Sequence, residues 1–176
     1  MTNVRFPEGF QLERLRREHP RRPFRSGEDA VDEWLRAKAL QNQEKHLSVT
    51  RVLIDQAGVI AGYYTLATGQ VEFSDLPVEV TTQLPKRRLP VAVLAWLGVS
   101  ANHQRQGLGQ RLVAQALRDC FDAGQTFAFV AVILDCLNAR AREFYRRWDF
   151  QELPGHPFRL FLTGRQLEVL ISPVGD

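Results

Sequence analysis

The chain has 176 residues, 44% of them apolar and 24% charged, with a net charge of +3 and an isoelectric point near 9.2. This length fits a single domain over residues 1–176, and the apolar share suffices for an ordinary core, which argues against a disordered or fibrous chain. No apolar run approaches membrane-spanning length. The stretch Met1 to Phe10 is interrupted by Arg5, Pro7 and Glu8, so neither a signal peptide nor an anchor is expected and the expected location is cytoplasmic.

In chain order, Phe10 to Leu15 reads as an edge strand, followed by a basic connection through Arg21, Arg22 and Pro23. Ser26-Gly27-Glu28-Asp29 reads as a helix start with a hydroxyl cap and an acid three residues on, and Val31, Trp34 and Leu35 carry the helical spacing toward His46. Val49 to Ile54 and Val59 to Leu66 are β-prone runs joined by Gln56-Ala57-Gly58, an antiparallel hairpin. Phe73 to Pro90, with three prolines and Lys86-Arg87-Arg88, is expected to be irregular. Val91 to Val99 is almost wholly apolar and reads as a strand buried on both faces. A helix from Leu108 then places Leu112, Val113, Ala116, Leu117, Cys120 and Phe121 on one arc. A strand over Thr126 to Ile133, a helix around Tyr145, and a hairpin of Phe158 to Leu162 with Leu167 to Ile171 complete the chain. The sum is a mixed, mostly antiparallel sheet flanked by helices, with no internal repeat. Cys120 and Cys136 lack metal-ligand spacing and read as buried free thiols; the four histidines are scattered, and no metal site is inferred.

The strand-to-helix junction Gln104-Arg105-Gln106-Gly107-Leu108-Gly109-Gln110 carries the clearest chemistry. Glycines at 107 and 109 let backbone N–H groups converge on a ligand where a helix begins, and the helix dipole adds positive potential there, so the loop suits a diphosphate. It is neither the G-x-G-x-x-G dinucleotide pattern nor the Gly-Lys-Ser/Thr nucleotide loop. A glycine-rich turn without a ligand is the other reading. Further on, Asn138, Ala141, Tyr145 and Trp148 share one helical face at about 100° per residue, opposite Arg140, Glu143, Arg146 and Arg147, and Asn138 stands at the expected N-cap. Tyr145 thus faces inward, as a packed core aromatic or as a functional group.

Together, Gln104-x-x-Gly107-x-Gly109 and Asn138-x-x-Ala141-x-x-Phe144-Tyr145-x-x-x-x-Phe150 resemble the two half-sites of the GCN5-related N-acetyltransferases, the GNAT family. The chain has Asp149-Phe150 where the family usually has Gly-Phe, and Asp tolerates the left-handed conformation such a helix end needs. The resemblance implies the GNAT fold, an α/β (mixed α+β) architecture with splayed central strands. It implies acetyl-CoA as cofactor, held by Gln104, Arg105, Gln106, Gly107, Leu108, Gly109, Gln110 and Asn138, with the backbone of Leu97, Gly98 and Val99 pairing with the pantetheine amides. It also implies that Tyr145 protonates the departing thiolate. Many members carry a glutamate base on the central strand, but Val91 to Leu97 holds no ionisable residue. A lysine amine, with a pKa of about 10.4, needs a base more than an α-amine at about 7.7–8.0, so an α-amine acceptor fits better; Glu72, Asp75 and Glu79 are the carboxylates within the adjoining loop.

The N-terminal half, through Phe24-Arg25-Ser26-Gly27, Val31-Asp32-x-Trp34-Leu35, Ala39-x-x-Asn42-Gln43, Thr50-x-Val52 and Gly62-Tyr63-Tyr64-x-Leu66, resembles the GNAT toxins of type II toxin–antitoxin pairs, with Ser26 where these commonly have Cys. That branch acetylates the α-amine of aminoacyl-tRNA and pairs with a small DNA-binding antitoxin. Basic clusters at Arg14, Arg16, Arg17, Arg21, Arg22, Arg25 and at Lys86 to Arg88 suit RNA phosphates, although interleaved acids also fit a solvated face. The alternatives are a GNAT enzyme for a small amine or a protein N-terminus, and a non-catalytic coenzyme A sensor or nucleic-acid-binding module. The sequence leaves open whether the chain forms a homodimer.

Overall fold

The computed structural model describes residues 4–172. Its strands are β1 (Gln11–Arg14), β2 (Val49–Ile54), β3 (Ile60–Val71), β4 (Leu89–Val99), β5 (Ala131–Asp135), β6 (Gln151–Leu153) and β7 (His156–Thr163), in the sheet order β1-β2-β3-β4-β5-β7-β6. The helices are α1 (Asp29–Glu33), α2 (Ala39–Glu44), α3 (Val78–Thr81), α4 (Leu108–Gly124), α5 (Ala139–Arg146) and α6 (Gly164–Ile171). The expected mixed, mostly antiparallel sheet with flanking helices is present: β1–β2, β2–β3, β5–β7 and β6–β7 pair antiparallel, and β4–β5 pair parallel.

The chain forms two compact units. Among the described residues, one comprises residues 4–67 with Leu94–Arg118, and the other comprises Thr68–Val93 with residues 119–172. In the first unit a core gathers Leu15, Phe24, Val31, Leu35, Val52, Ile60 and Tyr63. The β2–β3 hairpin turns at Asp55, whose Oδ1 accepts the N–H groups of Ala57 and Val59, each at 2.9 Å, while Gly58 takes the positive φ of 79° that the turn needs. Between α1 and α2 the helix widens into a π turn, Trp34–Lys38, where the Ala39 N–H reaches back to the Trp34 carbonyl.

In the second unit the core gathers Val71, Leu76, Val91, Ala131, Ile133, Leu153 and Phe161. The chain past α5 reverses at Asp149 in the left-handed region (φ 66°), as expected of an Asp replacing glycine.

Several expectations are corrected. Ser26 does not cap α1; the N-cap is Glu28, without a side-chain bond, and the Ser26 hydroxyl instead donates to Asp32. Leu167 to Ile171 is not a strand but part of α6: Thr163 and Gln166 form a capping box there, and the buried Leu167 and Ile171 stand one helical turn apart. The hairpin partner of β7 is β6. The strand placed over Thr126 to Ile133 begins only at Ala131, with Phe127 exposed. The segment before the central strand contains a 3-10 turn, Phe73–Asp75, and α3, and β4 starts earlier, at Leu89, with Pro90 on an exposed position. That strand is not buried throughout: Ala95, Trp96, Leu97 and Val99 are only half-buried. Cys120 and Cys136 are the buried free thiols expected.

Candidate active site

The loop of residues 104–110 lies wholly in the first unit. β4 delivers the chain to Ser100, a short 3-10 turn covers Ala101–His103, and α4 begins at Leu108. Arg105 (φ 64°) and Gly107 (φ 75°) both lie in the left-handed region. Alternating backbone hands of this kind turn successive N–H groups toward one point, making an anion-binding concavity. A Cβ at Gly107 would meet nothing within 4 Å, so its φ is what demands glycine there. The first amides of α4 have no carbonyl one turn back to donate to, and the helix dipole places positive potential beside them. Gln104, Arg105, Gln106 and Gln110 are exposed, Gly109 is half-buried, and Leu108 is anchored in the core.

The parallel register between β4 and β5 ends at Val93↔Ile133, whereas β4 continues to Val99. Leu97, Gly98 and Val99 lie at the far end of β4, beyond the residues of that register. Gly98 is sterically required: a Cβ there would come within 2.4 Å of Val31 Cγ1.

Gln104 has a use that the sequence concealed. Its side-chain amide donates to the Ser26 carbonyl at 2.7 Å and to the Val99 carbonyl at 3.0 Å, so its NH₂ serves to fasten the loop. Beside it, His103 Nε2 donates to Asp55 Oδ2 at 3.0 Å. Burial opposes the charge on Asp55, but the Val59 amide, the imidazole and the Ala57 amide outweigh it and hold the carboxyl below its ordinary pKa. Spacing rules did not reach these ties because they join residues 48 and 78 positions apart; the only signal was an Asp opening the Gln56-Ala57-Gly58 turn.

Asn138 and Tyr145 belong to the second unit. Asn138 is the N-cap of α5 as expected, its side chain accepting the Ala141 N–H at 2.9 Å. Arg140, Glu143, Arg146 and Arg147 are exposed and Tyr145 is half-buried, so the helix presents the faces its sequence implies. The Tyr145 ring meets Phe144 and Phe150 edge-on, at 5.1 and 6.0 Å between centroids. Burial, with a smaller contribution from the Cys136 thiol, raises the phenol's pKa well above its ordinary value, so the hydroxyl keeps its proton at neutral pH. Burial likewise pushes Cys136 up to about 11 and Cys120 up to about 12, which leaves neither as a thiolate nucleophile.

The second unit also holds a cleft of about 380 Å³ whose apolar floor includes Val71, Val91, Val93 and Ile133. Glu72 and Asp75 line it, and Glu79 does not. Glu72 is engaged by Arg88 at 2.6 Å, and across the cleft Asp135 is held by two bonds from Arg159, at 2.8 and 3.2 Å. The basic clusters are partly engaged as well. Arg16 reaches Glu13 and Glu18, Arg17 reaches Glu44, and Arg25 donates to the carbonyls of Arg22 and Phe24, while Arg14, Arg22, Lys86 and Arg87 are exposed.

Comparison with known proteins shows the family of the chain. The acetyltransferase (GNAT) family signature matches residues 11–150. A "tRNA-acetylating toxin" of Mycobacterium tuberculosis is 34% identical over 149 residues, covering 85% of this chain and 89% of that protein. Among solved structures, AtaT complexed with acetyl-methionyl-tRNAfMet superposes with a TM-score of 0.85 at 24% identity, covering 93% of this chain and 99% of that one. The AtaTR complex bound with AcCoA gives a TM-score of 0.82 at 24% identity, covering 93% and 99%. A family match over residues 11–150, together with the 34%-identical relative, identifies the chain as a member of the acetyltransferase (GNAT) family.

Proposed function

We propose that the chain transfers the acetyl group of acetyl-CoA to the α-amine of aminoacyl-tRNA, working in the cytoplasm as one GNAT domain over residues 1–176. The observation that carries the donor half is the loop from Gln104 to Gln110, with Arg105 and Gly107 both in the left-handed region just before α4, a backbone pattern that favours an anion-binding nest. The end of β4 at Leu97, Gly98 and Val99 offers backbone groups for the pantetheine amides. Asn138 braces the start of the helix that carries the acid.

In the reaction, the acceptor nitrogen adds to the thioester carbonyl, the carbon–nitrogen bond forms and the carbon–sulfur bond breaks. Coenzyme A leaves as a thiolate, which takes up the Tyr145 proton, and the proton released by the ammonium returns through water to the tyrosinate, restoring the phenol. Such acid catalysis contributes about 10²–10⁴-fold. The absence of an ionisable side chain on β4 favours an acceptor that is already partly neutral, and an α-amine, with a pKa of about 7.7–8.0, meets that need. The acceptor class is supported by the 34%-identical relative, whose name gives tRNA as its substrate, and by exposed Arg14, Arg22, Lys86 and Arg87, which suit phosphates. A small DNA-binding antitoxin is the further partner this reading brings. Among the described residues no helix is long and apolar enough to cross a membrane.

Incubation with labelled acetyl-CoA and a panel of charged tRNAs, small amines and peptides tests the reading. Label on charged tRNA, lost steeply as salt rises, supports it; label confined to a small amine or peptide overturns the acceptor, and label on none overturns the enzyme.

A further inference from the structure

The approach to the diphosphate loop is fastened at two successive residues, each by a carboxylate far away in sequence. The first fastening runs through Gln104, whose amide spans the Ser26 and Val99 carbonyls. Ser26 is itself immobilised: its N–H and its hydroxyl both donate to Oδ1 of Asp32, at 2.8 and 2.6 Å, and Asp32 is 2% exposed. The Ala101 N–H adds a bond to the Arg25 carbonyl at 2.7 Å alongside. The second runs through His103. A carboxylate only accepts, so the ring proton on the Asp55 side resides on Nε2, and Asp55 is in turn locked by the two turn amides it caps. Phe10 packs edge-on against the imidazole at 6.1 Å, and Nδ1 is enclosed with no hydrogen-bond partner among the described residues.

Main-chain amides bind an anion well only when their directions are set before the anion arrives, since ordering a loop on binding consumes affinity. Here both fastenings end immediately before Arg105 and Gly107, the residues whose left-handed backbone aims those amides. We infer that Asp32 and Asp55 are positioning residues for the acetyl-CoA diphosphate, acting through Gln104 and His103. The inference rests on the reading of residues 104–110 as the diphosphate site. Neither carboxylate touches the cofactor in this scheme; each holds a group that holds the loop.

Two acetyl donors separate this from general structural damage: acetyl-CoA, and S-acetylpantetheine, which keeps the thioester and arm but lacks the diphosphate and nucleotide. Asp55→Asn retains an oxygen for the turn amides but faces His103 with an NH₂, which forces the ring proton onto the enclosed Nδ1 or leaves two donors opposed. His103→Leu removes the fastening outright. In each variant the ratio of kcat/KM for acetyl-CoA to that for S-acetylpantetheine is expected to fall by about tenfold to a hundredfold, chiefly through KM for acetyl-CoA. His103→Gln, with an amide nitrogen near the place of Nε2, is expected to recover most of the loss. Asp32→Asn is expected to lower the same ratio; if it yields no folded protein, the Asp55 and His103 variants carry the test. Equal losses on both donors, an unchanged ratio, or a Gln variant no better than Leu would each overturn the inference. A wild-type enzyme that does not prefer acetyl-CoA to S-acetylpantetheine would overturn the diphosphate reading itself, which distinguishes the two failures.

Discussion

Trp34 stacks on Trp96 with 5.3 Å between ring centroids and 13° between planes, joining the π turn to β4 at one of that strand's half-exposed positions. The Trp34 indole N–H donates to Thr65 Oγ1 at 2.9 Å, and Thr65 shares a 2.6 Å hydroxyl bond with Thr50 in the buried interior. Substitution Trp34→Phe keeps a ring over Trp96 but strips the donor, and is expected to cost ~1 kcal/mol. Trp34→Ala is expected to cost ~3 kcal/mol, the low end for a large aromatic because the ring is only partly buried. Urea unfolding, comparing midpoints at constant slope, measures both; equal losses for Phe and Ala would assign the whole effect to the hydrogen bond.

Gly98 and Val31 compete for one space. An added methyl at Gly98 would lie 2.4 Å from Val31 Cγ1 and 3.4 Å from Tyr63 Cε1. Gly98→Ala is therefore expected to destabilise by about 1–3 kcal/mol through overpacking. Val31→Ala makes room, so the double variant should be more stable than the sum of the single losses predicts, by ~1 kcal/mol or more. Additive losses would mean that backbone movement, and not the Val31 side chain, absorbs the methyl.

The α6 cap holds a segment whose sequence pattern alone also fits a strand. The Thr163 hydroxyl accepts the Gln166 N–H at 3.1 Å and the Gln166 side chain accepts the Thr163 N–H at 2.9 Å. Thr163→Ala is expected to lower stability by ~1 kcal/mol and Thr163→Ser by much less. Equal losses would point to the methyl's packing instead of the cap.

Local signals were read well and distant ones were not. The helix from Leu108, the N-cap at Asn138 and the left-handed Asp149 each follow from a few adjacent residues, and each stands where its chemistry put it. Leu167 to Ile171 is ambiguous because five mostly apolar residues, interrupted only by Glu168, fit strand or helix equally, and the Thr163 cap that decides between them lies outside the segment. Val91 to Val99 announced a strand, but composition could not say that its parallel register with β5 would stop at Val93. The loop's glycines were legible; the carboxylates that fasten its approach were not, because Asp32 and Asp55 look like ordinary polar residues until the chain has folded.

Tyr145 provides the sharpest test of mechanism. Its ring packs among Phe144 and Phe150, contacts that phenylalanine would preserve, so Tyr145→Phe should fold normally and bind acetyl-CoA with unaltered affinity in calorimetry. Its turnover should fall by about 10²–10⁴-fold if the hydroxyl supplies the leaving thiolate's proton. The direction of the pKa shift adds a second constraint. Because burial raises the phenol's pKa, the acid is fully protonated below that value and is lost only above it, beyond the ordinary range of a tyrosine. The wild-type rate should therefore climb with pH as the acceptor amine loses its proton near pH ~8 and then level off, with no descending limb before pH ~10. A descending limb between pH ~7 and ~9 would require an acid of lower pKa and would remove Tyr145 from that role, as would near-normal turnover in Tyr145→Phe.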